Sequence, residues 1–257
     1  MNNTLVKGIA LLEALAHSDR PLGVTTLANQ LAIGKSNVHR LLQALVELGY
    51  VRHDPASHSY TASIRLWELG SAVLANLDLR RLAEAPMQHL LERTRENVLL
   101  AVLDGDEIVY VHKFDSPQPV RTFSRIGGRA PAYAVATGKA ILAWQNQAHL
   151  ESVSRRLQRH TSTTIADQQE FLREMAKIRL QGFATSAGSW REGVRGLAAP
   201  IFEPHGTVIA SIGISGPSER LRAAQLNALA PAVIEAAAAV TAELASDKPS
   251  AEHSSAR

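Results

Sequence analysis

Between residues 25 and 48 the apolar positions fall into two short helical patterns that meet at Ala32-Ile33-Gly34. At about 100° per residue, Val38, Leu41, Leu42 and Leu45 form one stripe that must be buried. Ser36, Arg40, Gln43 and Glu47 then point the opposite way, with Asn37, His39 and Ala44 on the flanks. In the preceding segment Thr25 or Thr26 is placed to cap the helix, and Leu27, Ala28 and Leu31 face the same core. Two helices joined in this way read as a helix-turn-helix, although an ordinary solvated helical hairpin shares the spacing. The residues after the second helix favour the helix-turn-helix. Gly49 suits a helix stop, and Tyr50-Val51-Arg52 and Tyr60-Thr61 flank the turn-rich residues 53–59 as a hairpin, or wing.

The pattern before and after this motif predicts the remaining elements. Leu5 to Ala16 is a first helix, with Leu5, Ile9, Leu12 and Ala16 at helical spacing and Leu11 and Leu15 widening the stripe. Residues 64–74 form a linker helix able to pair with a symmetry mate through Leu66, Leu69 and Val73, or else a plain fourth helix of the N-terminal unit. From about Asp78 strands appear. A helix over Leu79–Glu96 precedes a hairpin of Val98–Leu103 and Ile108–His112, and a third strand runs through Val120 to Ile126. Helices are predicted from Pro131 to Trp144, from Asp167 to Gln181 with Gly182 as its stop, and from Glu219 to Leu244. Strands are predicted over Val194–Phe202 and Thr207–Ser215, and Ser246 to Arg257 reads as a disordered tail. The order implies an α+β chain: a winged helix-turn-helix at 1–61, a linker helix at 62–77 and an antiparallel-sheet domain at 78–245.

Composition alters this picture little. The 257 residues suffice for two modest domains, and the net charge of +3 is too mild to demand a polyanion partner. The first 60 residues hold five Lys/Arg against four Asp/Glu, so nucleic-acid binding has to rest on local placement and on a dimer reading two half-sites. The absence of cysteine excludes a disulfide framework and a cysteine-based zinc site and fits a reducing compartment. The N-terminus lacks a signal-peptide pattern, and no uninterrupted apolar stretch approaches the ~20 residues that span a bilayer. The expectation is a cytoplasmic protein with no membrane association.

Two chemistries suggest themselves. On the second helix of the motif, Arg40 suits guanine, Asn37 and Gln43 suit adenine, and Ser36 suits a base or a phosphate. Lys35, Thr26 and Arg52 are candidate backbone clamps, and Thr25, His39 and His53 complete the expected contact set with duplex operator DNA. In the second domain, the strand 207–215 places Ile209, Ser211, Gly213 and Ser215 on one face. Together with Gly196, Ala198, Gly127-Gly128 and the bend expected at Ala136-Thr137-Gly138, this describes a small-molecule cavity or, alternatively, close helix-on-sheet packing. Catalytic motifs fail on inspection. Gly138-Lys139 lacks the earlier glycine and the following Ser/Thr of a phosphate loop, the histidines have no metal-ligand spacing, and no G-x-S-x-G occurs. Neither a catalytic residue, a metal nor a cofactor is expected, and the rival reading is a small-molecule enzyme with an appended helical module.

The segments KSNVHRLLQALVELGYV, VLLAVLDGDEIVYVHK, RIGGRAPAYAVATGKAILA and EGVRGLAAPIFEPHGTVIASIGISGP together resemble the IclR family of bacterial transcription regulators over almost the whole chain. The resemblance implies a winged helix-turn-helix, a linker helix and a GAF-like, profilin-like effector domain. It further implies a homodimer or homotetramer that represses or activates a catabolic operon in response to a small organic acid. The family's effector site carries over in part. Ala136 and Thr137 precede GKA, Ser215 is retained, and Gly213, Ser186 and Gly196 stand where many members have Ser, Asp and Cys. These exchanges are expected to widen the pocket for a ligand bulkier than small keto acids, with Arg125 or Arg129 as anion partners beside Gly128 and Ser211.

Overall fold

A computed structural model of the chain describes residues 3–75 and 79–246, without the side chains of 71–75. It separates into two compact units, 1–77 and 78–257. In the first, helices α1 (Asn3–Ala16), α2 (Val24–Leu31) and α3 (Lys35–Glu47) surround a small core, and strands β1 (Leu22–Gly23), β2 (Val51–Asp54) and β3 (Ser59–Ala62) form an antiparallel sheet in the order β1-β3-β2. Leu11, Leu15, Leu27, Val38, Leu42 and Val51 are buried in that core. Helix α4 (Arg65–Ala75) follows the wing. Two expectations change here. The cap of α2 is Gly23, with no side-chain cap bond, because the chain enters the helix directly from its pairing with β3; Thr25 and Thr26 lie inside the first turn. The buried stripe of α1 is Leu11 and Leu15, whereas Leu5 is 62% and Ile9 48% exposed, since no element covers the first turns of that helix within the unit.

The second unit is a six-stranded, wholly antiparallel sheet in the order β6-β5-β4-β9-β8-β7. Its strands are β4 (Asn97–Asp104), β5 (Glu107–Phe114), β6 (Arg129–Pro131), β7 (Ala184–Ala187), β8 (Val194–Phe202) and β9 (Val208–Pro217). Helices α5 (Leu79–Thr94) and α9 (Ala223–Ser246) cover one face, and α6 (Ala136–Leu142) covers the other, with α8 (Gln168–Gln181) behind it and α7 (Gln147–Ser154) against α8. Helix α8 is bounded as its sequence predicts: Asp167 accepts the Glu170 amide at its start, and Gly182 turns out of it at φ 78°. Helix α9 is, by length and composition, apolar enough to cross a membrane, which the interrupted run 219–244 did not suggest. Its Val233, Ala237 and Val240 are instead buried, and the helix packs on α5 and β8.

The strand expected over Val120–Ile126 is a loop. It crosses the ends of β4 and β9, where Asn97 Nδ2 donates to the Thr122 carbonyl at 2.7 Å and Lys113 Nζ to that of Ser124 at 2.9 Å. The helix expected from Pro131 to Trp144 is divided into β6, a 3-10 turn at Ala132–Ala134 and α6. Ala136-Thr137-Gly138 is therefore the first turn of a helix and not a bend. That helix lies so close to the preceding turn that a Cβ on Gly138 would sit 2.2 Å from the Ala132 carbonyl oxygen. A buried ion pair ties it to α8, with Lys139 Nζ 2.7 Å from Glu174 Oε1, and desolvation holds the Lys139 ammonium below its ordinary pKa. The tail expected at 246–257 lies, beyond Ser246, outside the described residues.

Gly8 of α1 and Gly138 of α6 give opposite expectations. Gly138→Ala should cost more than about 3 kcal/mol in chemical denaturation, because backbone atoms cannot step aside. Gly8→Ala, with nothing within 4 Å of the added carbon, should gain about 0.5–1 kcal/mol from the higher helix propensity of alanine.

Candidate nucleic-acid interface and ligand cavity

The turn between α2 and α3 is built on Ala32 in the left-handed region (φ 52°) and on Ile33, whose buried side chain pins both helices to the core. Helix α3 hides Val38, Leu41 and Leu42 and leaves Lys35, Ser36, His39, Arg40 and Gln43 exposed, with Asn37 half-buried beside them. Arg40 Nη2 donates to Asn37 Oδ1 at 3.3 Å, which extends the guanidinium along the helix, and neither Lys35 nor Arg40 has an ion-pair partner among the described residues. Thr25 and Thr26 are exposed on α2. In the wing, Arg52 and His53 are exposed on β2; His53 stacks on Tyr60 of β3 at 4.6 Å, and the turn is held by Asp54, which accepts from Ser57 Oγ and the Ala56 amide. Those bonds, the Ser57 hydroxyl foremost, hold the Asp54 carboxyl below the usual range. All ten expected contact residues thus belong to α2, α3 and the wing of one unit.

The start of the linker helix is fastened to the end of α3, a feature with no periodic signal in the sequence. Arg65 Nη1 donates to the Leu48 carbonyl at 2.9 Å, and the guanidinium lies 5.1 Å from the centre of the Tyr50 ring; Ser63 Oγ donates to the Gly49 carbonyl at 2.6 Å. At and beyond this clip the chain carries an apolar surface, with Ile64, just before α4, 68% and Trp67 67% exposed and Leu69 also exposed. The side chain of Val73 lies outside the described residues.

In the second unit a cavity of about 230 Å³ opens between the 122–128 loop, the first turn of α6 and the near ends of β7, β8 and β9. That is below the roughly 300–1,000 Å³ of drug-sized sites and suits a small metabolite. Of the expected residues, Arg125, Gly128, Ala136, Thr137, Ser186, Gly196 and Ser215 line it. Ser211 and Gly213 share that sheet face but do not line the cavity: Ser211 Oγ donates to the Thr137 carbonyl of α6 at 2.8 Å, and a Cβ on Gly213 would meet Ala198 Cβ of the neighbouring strand β8 at 2.6 Å. The widening expected at the two glycines does not occur, because a Cβ on Gly196 would stand 3.3 Å from Ala136 Cβ and 3.2 Å from Ser186 Oγ. Neighbours already fill the space. Arg129 lines the cavity too, but it pairs with Glu107 and Asp104, both at 2.7 Å, so its charge is neutralised.

Residues that the sequence did not single out complete the lining. Tyr110, at the β-bulge of the β4–β5 pair, presents a phenol that burial holds above the usual tyrosine range and thus neutral. Trp190 and Arg191 come from the β7–β8 connection. No carboxylate or imidazole lines the cavity, while Arg125 and Arg191 have no acidic partner among the described residues. Thr137, 5% exposed, holds its buried hydroxyl beside the Tyr110 phenol without a well-formed hydrogen bond. Thr137→Val should change the stability of the ligand-free protein by no more than about 1 kcal/mol in thermal denaturation while weakening ligand binding in calorimetry.

Comparison with known proteins agrees with both halves of this geometry. Residues 4–55 match the IclR helix-turn-helix domain, and residues 71–242 match the bacterial transcriptional regulator IclR C-terminal domain. The chain is 37% identical over 220 residues to the HTH-type transcriptional regulator KdgR of Dickeya chrysanthemi, covering 85% of this chain and 72% of that one. It is 35% identical over 244 residues to KdgR of Escherichia coli, covering 94% and 92%. The crystal structure of the Thermotoga maritima IclR superposes with a TM-score of 0.78 at 27% identity, over 95% of this chain and 99% of that one. The chain belongs to the IclR family of bacterial transcription regulators, DNA-binding proteins that respond to small ligands.

Proposed function

We propose that the protein binds operator duplex as a cytoplasmic homodimer, or a dimer of such dimers, and that the cavity of the second unit takes a small, hydroxyl-bearing organic acid that adjusts operator affinity for a catabolic operon. The observation that carries the DNA reading is the polar face of α3. Lys35, Ser36, His39, Arg40 and Gln43 stand exposed on one element whose opposite face is buried, and no acid among the described residues pairs with the two cations. A helix so placed can enter the major groove, with Arg40, Gln43, Asn37 and Ser36 reading base edges. Lys35, Thr26 and the wing's Arg52 would then hold the backbone, with Thr25, His39 and His53 beside them.

A dimer accounts for the apolar residues left exposed on α1 and α4, Leu5, Ile9, Ile64, Trp67 and Leu69, which a soluble monomer has no reason to keep together on two helices. The ligand class rests on the cavity lining: two uncompensated guanidinium groups call for an anion. The hydroxyls of Thr137, Ser186 and Ser124 and the Tyr110 phenol, gathered around one small space, call for hydroxyl groups along its body. A lining without carboxylate or imidazole supports binding over turnover. The clip of Arg65 and Ser63 on the end of α3 gives the linker helix a grip on the reading helix, so that displacing one reorients the other.

Fluorescence anisotropy on duplexes tiled across candidate regulatory regions should find saturable binding to one near-palindromic site, steeply weakened by salt. Arg40→Ala should weaken that binding by about 5- to 150-fold, the equivalent of the about 1–3 kcal/mol of a base contact. Salt-insensitive binding, or a variant as tight as the wild type, would refute the assignment.

A further inference from the structure

The connection between β7 and β8 has no ladder partner from Ser189 to Glu192, yet the chain entering it is pinned at three successive carbonyls. Thr163 Oγ1 donates to that of Ala187 at 2.8 Å, Thr161 Oγ1 to that of Gly188 at 2.8 Å, and Thr164 Oγ1 to that of Ser189 at 2.6 Å. Its ends turn at Gly188 and Gly193, with φ 76° and 73°, where a side chain would be strained. Behind it, the Trp190 ring stands edge-on to His160, with centroids 4.5 Å apart. His160 Nε2 in turn lies 2.8 Å from the Tyr133 hydroxyl, just before α6. The backbone and the indole are thus held by Thr161, Thr163, Thr164 and His160, none of which lines the cavity.

What this bracing holds in place is a pair of side chains on the cavity side. Trp190 and Arg191 both line the cavity, and the exposed Arg191 has no acidic partner among the described residues. Thr137 and Tyr110 line the same space. A loop ordered before its ligand arrives spares the entropy that a mobile one would lose on binding.

We propose that the 188–193 loop is the specificity wall of the cavity: Arg191 pairs with the ligand's carboxylate, Trp190 limits the shape of its body, and His160 with Thr161, Thr163 and Thr164 are positioning residues. This rests on the cavity being the effector site. The test uses the full chain and a matched set of probes: D-gluconate, sorbitol with the same hydroxylated chain and no carboxylate, hexanoate with the carboxylate and no hydroxyls, and benzoate as a flat acid. Calorimetry selects the carboxylate that wild type binds most tightly. Arg191→Gln should weaken it by about tenfold or more, as loss of a charge-assisted pair predicts, with Arg191→Lys recovering part and the affinity for sorbitol unmoved. His160→Ala, in a Trp67→Phe/Trp144→Phe background, should shift the Trp190 emission to the red and weaken the same acid. Trp190→Leu should change the order of preference among the acids. An Arg191→Gln variant that binds the acid as well as wild type, or loses acid and sorbitol alike, overturns the wall while leaving the cavity as the effector site. Failure of wild type to bind any of the acids, with salt-sensitive operator binding intact, overturns the effector reading and the wall with it.

Discussion

Helix α6 can rest on the sheet only where side chains are absent. Gly138 meets the Ala132 backbone of the preceding turn, Gly196 leaves room for the Ala136 methyl at the start of α6, and Gly213 lies against Leu197 and Ala198 of the neighbouring strand. That approach fixes the first turn of α6 beside β8 and β9 and thereby aims Thr137 at the space enclosed by the 122–128 loop and the β7–β8 connection. Because the close packing uses up the room at the glycines, the cavity volume comes from the loops around it and not from the small residues of the sheet. The Lys139–Glu174 pair completes the anchoring on the far side, where removing one partner would leave an uncompensated charge in a dry site.

The first unit solves a different problem with similar economy. A reading helix has to bury one face well enough to present the other rigidly, and Val38, Leu41 and Leu42 accomplish this within a domain of very few large core residues. The Asn37–Arg40 bond and the His53–Tyr60 stack order groups that would otherwise be free to wander before DNA arrives. Arg65 and Ser63 then join the linker helix to the end of α3 through backbone carbonyls, which are geometrically stricter acceptors than flexible side chains.

Most of the secondary structure was legible because its signals are local. The α3 stripe, the Asp167 cap and Gly182 stop of α8, and the boundaries of β8 are set by periodicity and cap chemistry. The errors arose where tertiary contacts override pattern. Val120–Ile126 contains strand-forming Val, Thr, Phe and Ile, but its Thr122 and Ser124 carbonyls accept from the Asn97 and Lys113 side chains instead of from a ladder. Ala136-Thr137-Gly138 reads as a bend only if the glycine is taken for flexibility rather than contact. Seven of the nine expected cavity residues line it, drawn from a loop, the start of α6 and the ends of three strands, whereas Ser211 and Gly213, farther along the strand face, do not. Trp190 and Arg191 were not found: a six-residue connection has no periodicity, and the threonines that fix it lie more than twenty residues upstream. The charge balance that separates Arg129 from Arg191 likewise depends on which acids the fold brings near, and sequence spacing does not reveal that.

In the proposed regulator, ligand and operator compete or cooperate through one chain. By linkage, an effector that alters operator affinity must itself bind with altered affinity when the operator is present. The most direct measurement titrates the acid that the cavity accepts into free protein and into protein saturated with its operator duplex, under the same salt. The two dissociation constants should differ by about fivefold or more, the lower end of typical coupling between sites. Equal constants would contradict this coupling, leaving a protein that binds DNA and a small molecule without connecting them.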